Sequence, residues 1–320
     1  MNATHHAATL DHSRPLPTPV PPGAKERYME LWRQTFSIGG AGLADSALIE
    51  LKTYFPEMTS EQVEDTFAHS VELFNDHWHK SGVDVHSQAA LDGFYNASPI
   101  EIFQLMHVNN VDAQQYPLGY EFALELGQRL GYRRYLDYGS GAGSGGILLA
   151  THGFDVTLAD ISTPLLDFAR WRFDQRGLHA AFMDLKTETL QGPFDLITCY
   201  DVLEHLRDPL DTLAAIRALM HNHSVLIIRA PFGHDEKNPQ HLDHDPHLRH
   251  RFRGCGFRYR RDLSTQAARG EVYVHVLQRV ERPRVVTAFL DWYDYHLPKT
   301  GRTMLRRLAK RLRGVADTRA

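Results

Sequence analysis

The fold class follows from one segment, Tyr135-Leu-Asp-Tyr-Gly-Ser-Gly-Ala-Gly-Ser-Gly-Gly-Ile-Leu-Leu-Ala150. It predicts a short apolar strand, a glycine-rich turn and the start of a helix, with Asp137 near the end of the strand. Gly139, Gly141 and Gly143 alternate through the turn, where glycine permits positive φ and close approach of a ligand to the backbone. The helix offers unpaired N–H groups to an anionic group. A strand, a glycine-rich turn and a helix in this order form the first nucleotide-binding unit of a doubly wound α/β domain.

Downstream of this segment, strands and helices alternate. Strands are predicted at 135–138, 154–160, 180–184, 194–199 and 224–229, and helices follow the first, second and fourth. This alternation predicts a parallel sheet with helices on both faces. Two more strands, at 257–263 and 271–278, are predicted to form a hairpin at the far edge. The expected fold class is α/β, with a Rossmann-like, doubly wound and mostly parallel sheet of seven strands.

The region before the glycine-rich segment has helical periodicity. Thr59-Ser-Glu-Gln62 has the form of a capping box. Ser98 is predicted to cap a helix that has Pro99 in its first turn. Residues 24–131 are therefore predicted to form a helical cap over the substrate, after a disordered tail at 1–23 that is rich in Pro, Thr and His. The Rossmann-like domain is expected at 132–281 and a C-terminal helical extension at 282–320.

The composition of the chain limits the classes of partner that it is expected to bind. A formal charge of −4 over 320 residues gives no electrostatic reason to expect nucleic-acid binding. No apolar run is long enough for stable membrane insertion, and the N-terminus lacks the features of a signal peptide. Cys199 lies in a predicted buried strand, which argues against a structural disulfide and favours the cytoplasm. The expected partner is a small-molecule substrate, and the sequence is compatible with a homodimer.

The glycines fit two nucleotide-binding patterns. Gly141-Ala-Gly-Ser-Gly-Gly146 satisfies the dinucleotide fingerprint, which indicates an NAD(P)-dependent oxidoreductase. Asp137-Tyr-Gly-Ser-Gly-Ala-Gly143 instead resembles motif I of class I S-adenosylmethionine (SAM)-dependent methyltransferases. An acid at the end of the second strand, Asp160, is common to both classes and does not separate them.

Three later segments favour the methyltransferase pattern. Met183-Asp184-Leu185 ends the third strand, where methyltransferases often place an acid against the adenine. The segment from Phe194 to Leu206 resembles the fourth-strand region of small-molecule methyltransferases, including its Leu-Glu-His triplet. Gly254-Cys-Gly-Phe257, before the last strands, is similar to the corresponding turn of that family. The resemblance covers roughly residues 134–279.

The resemblance implies that SAM is the cofactor and that its methyl group passes to an O, N or C nucleophile of a small molecule. The cofactor-binding residues that it implies are Asp137, Gly139, Ser140 and Gly141 for the methionyl end, Asp160 for the ribose, Ile161, Asp184 and Leu185 for the adenine, and Tyr200 and Asp201 near the methyl group. Three alternatives remain open. One is an enzyme that consumes SAM by cyclisation or a lyase reaction, one is an oxidoreductase, and one is a SAM-binding protein without catalysis.

The candidate catalytic residues are His241, His205 and Tyr116. Related methyltransferases commonly have a histidine in the loop after the fifth strand, and His241 is interpreted as its counterpart. Histidine titrates near neutral pH and can act as a base, although positioning supplies much of the rate of an in-line displacement. Tyr116 is the first choice for an aromatic residue of the acceptor pocket.

The segment from Gly233 to His250 contains five histidines among several aspartates. It repeats no known ligand spacing, so no metal site is predicted, although a solvated loop, a substrate-orienting role and metal ligation all remain open. Glu204 is interpreted as a solvated helix residue.

Overall fold

The structure is a computed structural model that describes residues 23–111, 118–233, 237–245, 248–269 and 272–281, together with residues 283, 285, 286, 289 and 292. The predicted tail before residue 23, most of the predicted C-terminal extension and Tyr116 lie outside the described residues.

Helices fill the described chain before the sheet. Their bounds are α1 Ala24–Phe36, α2 Leu43–Tyr54, α3 Ser60–Ala68, α4 Ser70–Ser81, α5 Gln88–Ala97, α6 Ile100–Asn110 and α7 Leu118–Leu130. The predicted capping box begins α3: the Thr59 hydroxyl accepts the Gln62 N–H, and the Gln62 side chain accepts the Thr59 N–H. The predicted cap at Ser98 is wrong. Pro99 is the N-cap of α6, and the Ser98 hydroxyl donates to the Phe94 carbonyl of the preceding helix at 2.9 Å.

A seven-stranded sheet follows, which confirms the predicted fold class. Its strands are β1 Arg134–Tyr138, β2 Asp155–Asp160, β3 Ala181–Asp184, β4 Phe194–Tyr200, β5 Met220–Arg229, β6 Phe257–Tyr259 and β7 His275–Arg279. Their order is β3-β2-β1-β4-β5-β7-β6, and β7 runs antiparallel to both of its neighbours. Strand order reverses between β1 and β4, and in such sheets a ligand binds in the crevice at the carboxyl ends of those strands.

Helices connect the strands and cover the sheet. They are α8 Ser144–Thr151, α9 Thr163–Gln175, α10 Pro209–Ala218, α11 Leu248–Arg251 and α12 Arg261–Arg269, with a 3₁₀ turn at Leu203–His205. The predicted hairpin of strands 257–263 and 271–278 is wrong in its connection, because β6 ends at Tyr259 and α12 precedes β7. Leu263 and Ala267, four residues apart, are both buried, and this is the helical spacing that the strand prediction overlooked.

The sheet is apolar on both faces. Along β5, Val225 and Ile227 pack in the core with α7 and α8, whereas Leu226 and Ile228 pack on the opposite face with α10. Continuous apolar strands of this kind are expected when helices cover both sides of a parallel sheet.

The helical region before the sheet is joined to the glycine-rich turn. Glu50 of α2 forms an ion pair with Arg172 of α9 at 3.0 Å. The Arg172 guanidinium also donates to the Ala142 carbonyl and to the Ser144 hydroxyl, each at 2.8 Å. One buried arginine therefore ties the helical region to the turn between β1 and α8.

Candidate active site

A cavity of about 960 Å³ opens at the carboxyl ends of the parallel strands, between the sheet and helices α5 and α6. Most of the sequence-predicted site residues line it, and these are Gly139, Ser140, Gly141, Asp160, Ile161, Leu185, Tyr200, Asp201, His205 and His241. Asp137 and Asp184 are not among the lining residues.

The turn after β1 requires its glycines. Gly139 and Gly141 have φ of 74° and 51°, in the left-handed region. A Cβ added to Gly139 would lie 2.2 Å from Cγ2 of Val202, and one added to Gly141 would lie 2.8 Å from Cδ1 of Leu105. Backbone and cavity wall therefore approach each other more closely than a side chain would permit. The Ser140 hydroxyl in this turn is buried and has no hydrogen-bond partner in the part of the chain that the structure describes.

Asp160 presents a buried carboxylate to the cavity. Its Oδ2 accepts the Gly141 N–H at 2.8 Å, and its Oδ1 accepts the Ser162 N–H at 2.9 Å. These bonds fix the acid against the glycine-rich turn. Burial raises the pKa of Asp160 even though the backbone N–H groups oppose that change.

Asp137 is fully buried, one strand away from Asp160. Its Oδ1 accepts the Thr198 hydroxyl at 2.7 Å, whereas Oδ2 has no partner among the described residues. Burial raises the pKa of this carboxyl to about 7, against the effect of its hydrogen bonds with Thr198 and Tyr135.

Asp184 has a different environment at the end of β3. Its carboxylate pairs with Lys186 at 2.8 Å and accepts the Thr163 hydroxyl at 3.2 Å. Desolvation by burial acts to raise the pKa of Asp184, but these partners outweigh it and lower the pKa. Only its neighbour Leu185 reaches the cavity lining, so the cofactor roles of Asp137 and Asp184 remain predictions.

Tyr200 and Asp201 mark the end of β4. The Tyr200 hydroxyl donates to the Gly119 carbonyl at 2.8 Å, which joins β4 to α7. Asp201 is the one non-glycine residue of positive φ in the described ranges, at 53°. The Arg229 Nε lies 3.0 Å from each of its carboxylate oxygens, so an arginine already balances the charge of Asp201.

The interpretation of Glu204 as a solvated residue is wrong. Glu204 is 0% exposed, in the 3₁₀ turn that follows β4. Neither of its carboxylate oxygens has a hydrogen-bond partner within the described residues. Burial, and then the nearby Asp201, raise the pKa of Glu204 well above its ordinary value. No periodicity in the sequence separates this position from a surface position, because the residues that cover it come from a distant loop.

That loop provides His241. The rings of His205 and His241 meet edge to face, with centroids 5.0 Å apart. His205 Nδ1 lies 3.0 Å from the Tyr95 hydroxyl and 3.2 Å from the Gln240 carbonyl oxygen. Burial, and then His241, lower the pKa of His205 to about 4, so its ring is neutral at pH 7.

Tyr95 and Glu101 are among the cavity residues of the helical region that the sequence interpretation missed. Tyr95 of α5 contacts His205, and Glu101 of α6 lines the cavity near Asp160. Oε2 of Glu101 is a buried oxygen without a partner in the described residues, and burial raises the pKa of this acid well above its usual range. Helical spacing gave no signal for either, since a residue that faces a cavity and one that faces the core occupy the same helix face.

Two further observations concern the cysteines and the ability of the helices to cross a membrane. No disulfide joins Cys199 to Cys255. Among the described residues, no helix combines the length and the apolar character that crossing a bilayer requires.

Comparisons with known proteins agree with this geometry. Residues 112–270 match a family described as a methyltransferase domain. The chain is 32% identical over 142 residues to the ubiquinone biosynthesis O-methyltransferase of Bordetella avium, which covers 42% of this chain and 56% of that protein. It is 34% identical over 107 residues to the enzyme of the same name from Methylococcus capsulatus, over 32% of this chain and 45% of that protein. The chain thus spans about half the length of these curated relatives.

Solved structures give weaker likenesses. Magnesium protoporphyrin IX methyltransferase from Synechocystis, solved with bound SAM, is 18% identical with a TM-score of 0.46, over 63% of this chain and 99% of that one. Mitomycin 7-O-methyltransferase is 15% identical with a TM-score of 0.45, over 68% of this chain and 70% of that one. Likeness at this level says nothing about the acceptor. The family match shows a methyltransferase domain at residues 112–270, and the curated relatives and the strand order agree with those of class I SAM-dependent methyltransferases.

Proposed function

We propose that the protein transfers the methyl group of SAM to an O, N or C nucleophile of a small-molecule acceptor bound in the cavity. The observation that carries this proposal is that the glycine-rich turn, Asp160 and the two histidines all line one cavity of about 960 Å³. Small-molecule sites have volumes of about 300–1,000 Å³. This volume therefore leaves space for an acceptor beside the cofactor. The O-methyltransferase names of the curated relatives support oxygen as the nucleophile.

The polar groups of the cavity fit SAM, whose amino-acid end and ribose need hydrogen-bonding partners. The Ser140 hydroxyl and Oε2 of Glu101 lack partners in the described residues. Each Asp160 oxygen accepts one bond and retains capacity for a second. The rings of Tyr120 and Tyr200, with centroids 4.9 Å apart, also line the cavity, and aromatic faces attract a cationic sulfonium.

These contacts suggest an assignment of roles. Gly139, Ser140 and Gly141 would hold the methionyl end, and Asp160 would hold the ribose. The adenine would lie against Ile161 and Leu185. Asp137 would act at the methionyl end from beneath the turn and Asp184 would act at the adenine beside Leu185, both from outside the cavity lining, and Tyr200 and Asp201 would border the transfer region.

Bound SAM supplies a methyl group on a positively charged sulfur. The chain orients the acceptor in line with that methyl group and excludes water from the cavity, which is how enzymes of this type gain much of their rate. The acceptor would give up its proton when it takes the methyl group that bound SAM would supply. His241 would receive that proton and His205, held by Tyr95, would orient the acceptor, because the low pKa of His205 makes it a weak base. Tyr116 remains a proposed acceptor-pocket residue.

Cofactor binding is the first test. Calorimetric titration of the full chain with SAM and with NADH should give binding of SAM alone. Asp160→Asn should weaken SAM binding by about 10- to 100-fold, because a charged hydrogen-bond acceptor is lost. Asp155→Asn is the matched control, since it changes the same residue type at the opposite, exposed end of β2. Binding of NADH without binding of SAM would reject the proposal.

Product analysis is the second test. Mass spectrometry of reactions with SAM and panels of phenols and amines should detect S-adenosylhomocysteine and a methylated acceptor. Methylthioadenosine in place of S-adenosylhomocysteine would indicate a SAM-consuming lyase and would contradict methyl transfer.

We also propose that the protein is cytoplasmic and can form a homodimer. The lack of a disulfide between Cys199 and Cys255 supports this compartment. Fractionation of cells and light scattering of the purified chain would test the two parts of this proposal.

A further inference from the structure

We propose that Glu204, His205 and His241 form a binding site for a divalent transition-metal ion of the zinc type, beside the acceptor region of the cavity. One ligand atom from each residue lies within 4.8 Å of the other two. Ligands of tetrahedral zinc at about 2.0–2.2 Å from the ion are about 3.3–3.5 Å apart. Small side-chain rotations would therefore bring the three atoms to bonding distance.

The unpartnered carboxylate is the independent observation that points to a cation. Glu204 is 0% exposed and neither of its oxygens has a hydrogen-bond partner among the described residues. Burial of an unpaired carboxylate is costly, and buried charges in native proteins are normally paired or coordinate a metal. A bound cation would supply both the missing charge and the missing partner.

The hydrogen bonds of the His205 ring leave one nitrogen available to a metal ion. Its Nδ1 lies 3.2 Å from the Gln240 carbonyl oxygen, which can only accept a hydrogen bond. With the proton on Nδ1, the lone pair is on Nε2. A hydrogen bond from one ring nitrogen to a carbonyl is the usual outer-shell contact that fixes the tautomer of a metal-binding histidine. Tyr95, 3.0 Å from the same Nδ1, further restrains the ring.

The donor set indicates the class of ion. Two imidazole nitrogens and one carboxylate suit zinc and the neighbouring first-row metals, whereas magnesium and calcium prefer sites made of oxygen atoms. Three protein ligands leave one position of a zinc ion open, as in catalytic zinc sites. His205 and His241 both line the cavity, so the open position would face the acceptor.

The role of the ion rests on the proposed function. An ion at this position would bind the nucleophilic oxygen of the acceptor and favour loss of its proton to water before the methyl group is transferred. His241 would then act as a ligand and not as the base. The binding of the ion itself can be measured without any acceptor.

Zinc titration of the full chain, after metal removal with a chelator, tests the site. We expect one high-affinity zinc site per chain in calorimetry, and a visible absorption band when cobalt replaces zinc. Glu204→Gln and His241→Gln should each weaken that site by at least about tenfold, by the reasoning that even outer-shell changes cost 10- to 100-fold. His152→Gln is the matched control, because this ring bonds to the Leu148 carbonyl of its own helix and does not line the cavity.

Each result decides the matter. Zinc affinity that is unchanged in both site variants, or that falls equally in the His152 variant, would overturn the proposal. Magnesium binding as tight as zinc binding would contradict the donor argument. Should Glu204→Gln fail to fold by circular dichroism, His241→Gln gives the same information from a partly exposed position. SAM affinity, measured on the same samples, separates the two proposals, since the zinc site can fail while cofactor binding remains.

Discussion

Two buried glutamates, Glu50 and Glu204, have opposite surroundings. Glu50 is 5% exposed and pairs with Arg172 at 3.0 Å and with Arg176 at 2.6 Å. Glu204 is 0% exposed and has no partner in the described residues. Burial opposes ionisation of both, but the two arginines hold the pKa of Glu50 below its ordinary value, whereas the pKa of Glu204 is raised.

The contrast distinguishes Glu50, whose carboxylate stabilises the fold, from Glu204, whose carboxylate we propose to be a metal ligand. Glu50 connects α2 to α9, and through Arg172 to the glycine-rich turn. Glu204 lies beside the two histidines of the cavity and connects no elements through its side chain in the described chain. Equal burial therefore does not imply an equal role, and the same substitution at the two positions should have different consequences.

The largest effect is expected for Glu50→Gln. Removal of this charge leaves Arg172 buried without its counter-ion, and breaking a buried pair in this way costs about 3–5 kcal/mol. Urea unfolding at pH 7, followed by circular dichroism, should show this decrease in the free energy of unfolding. Glu64→Gln is the matched control, because Glu64 pairs with Lys52 on the surface and should lose less than about 1 kcal/mol. A loss at Glu50 as small as the loss at Glu64 would show that the buried pair is not structural.

Asp137 is intermediate between the two glutamates, since one of its oxygens is bonded to Thr198 and the other has no partner among the described residues. Its pKa is raised from 3.8 to about 7 by burial. The acid is therefore best accommodated in its protonated form. Its contribution to stability is greatest below the unfolded pKa and decreases as pH rises to about 7, where it levels off.

Asp137→Asn should remove this dependence. The stability of the variant relative to the wild type should increase by roughly 2–4 kcal/mol between pH 4 and pH 7.5, at about 1.4 kcal/mol per unit of pKa shift. Urea midpoints of both proteins at several pH values give this difference, in which the contributions of all other groups cancel. Parallel curves across the pH range would refute the raised pKa of Asp137.

The sequence predicted the sheet because the signals for it are local. The glycine-rich turn, the apolar strands and the helices between them are each specified within a few residues, and β1 was expected close to its observed bounds. The prediction of a hairpin was wrong because it also relied on local signals. The short β6 is followed directly by α12, and the pattern from 257 to 263 was interpreted as one strand.

The site was predictable where backbone and strand ends form it, and not where distant segments meet. Asp160 and the glycines follow from strand position alone. The burial of Glu204 depends on the loop after β5, whose Leu242 N–H donates to the Glu204 carbonyl at 2.9 Å. Tyr95 reaches His205 across 110 positions of the chain. Contacts over such separations leave no periodic signal in the sequence.

Arg176→Met should show how Glu50 divides its stabilising interactions between two arginines. Arg176 is 18% exposed, against 1% for Arg172, so solvent screens its charge more strongly. With Arg172 retained, we expect a loss of about 1 kcal/mol, near the upper value for exposed pairs. Urea unfolding of this variant and of Glu50→Gln gives the ratio of the two losses in the free energy of unfolding. A loss equal to that of Glu50→Gln would assign the whole effect to the more exposed arginine.

The smallest effect on stability is expected for Glu204→Gln in metal-free protein. The amide has nearly the shape of the acid and, since no described residue bonds to either oxygen, no ion pair is lost. The free energy of unfolding should stay within about 1 kcal/mol of the wild type, because an unsatisfied buried polar group is present in both. Urea unfolding after chelation tests this, with Glu50→Gln as the variant of identical chemistry. A loss of about 3–5 kcal/mol at Glu204 would mean that this acid has a charged partner in the folded chain. In that case the two glutamates would be structurally equivalent.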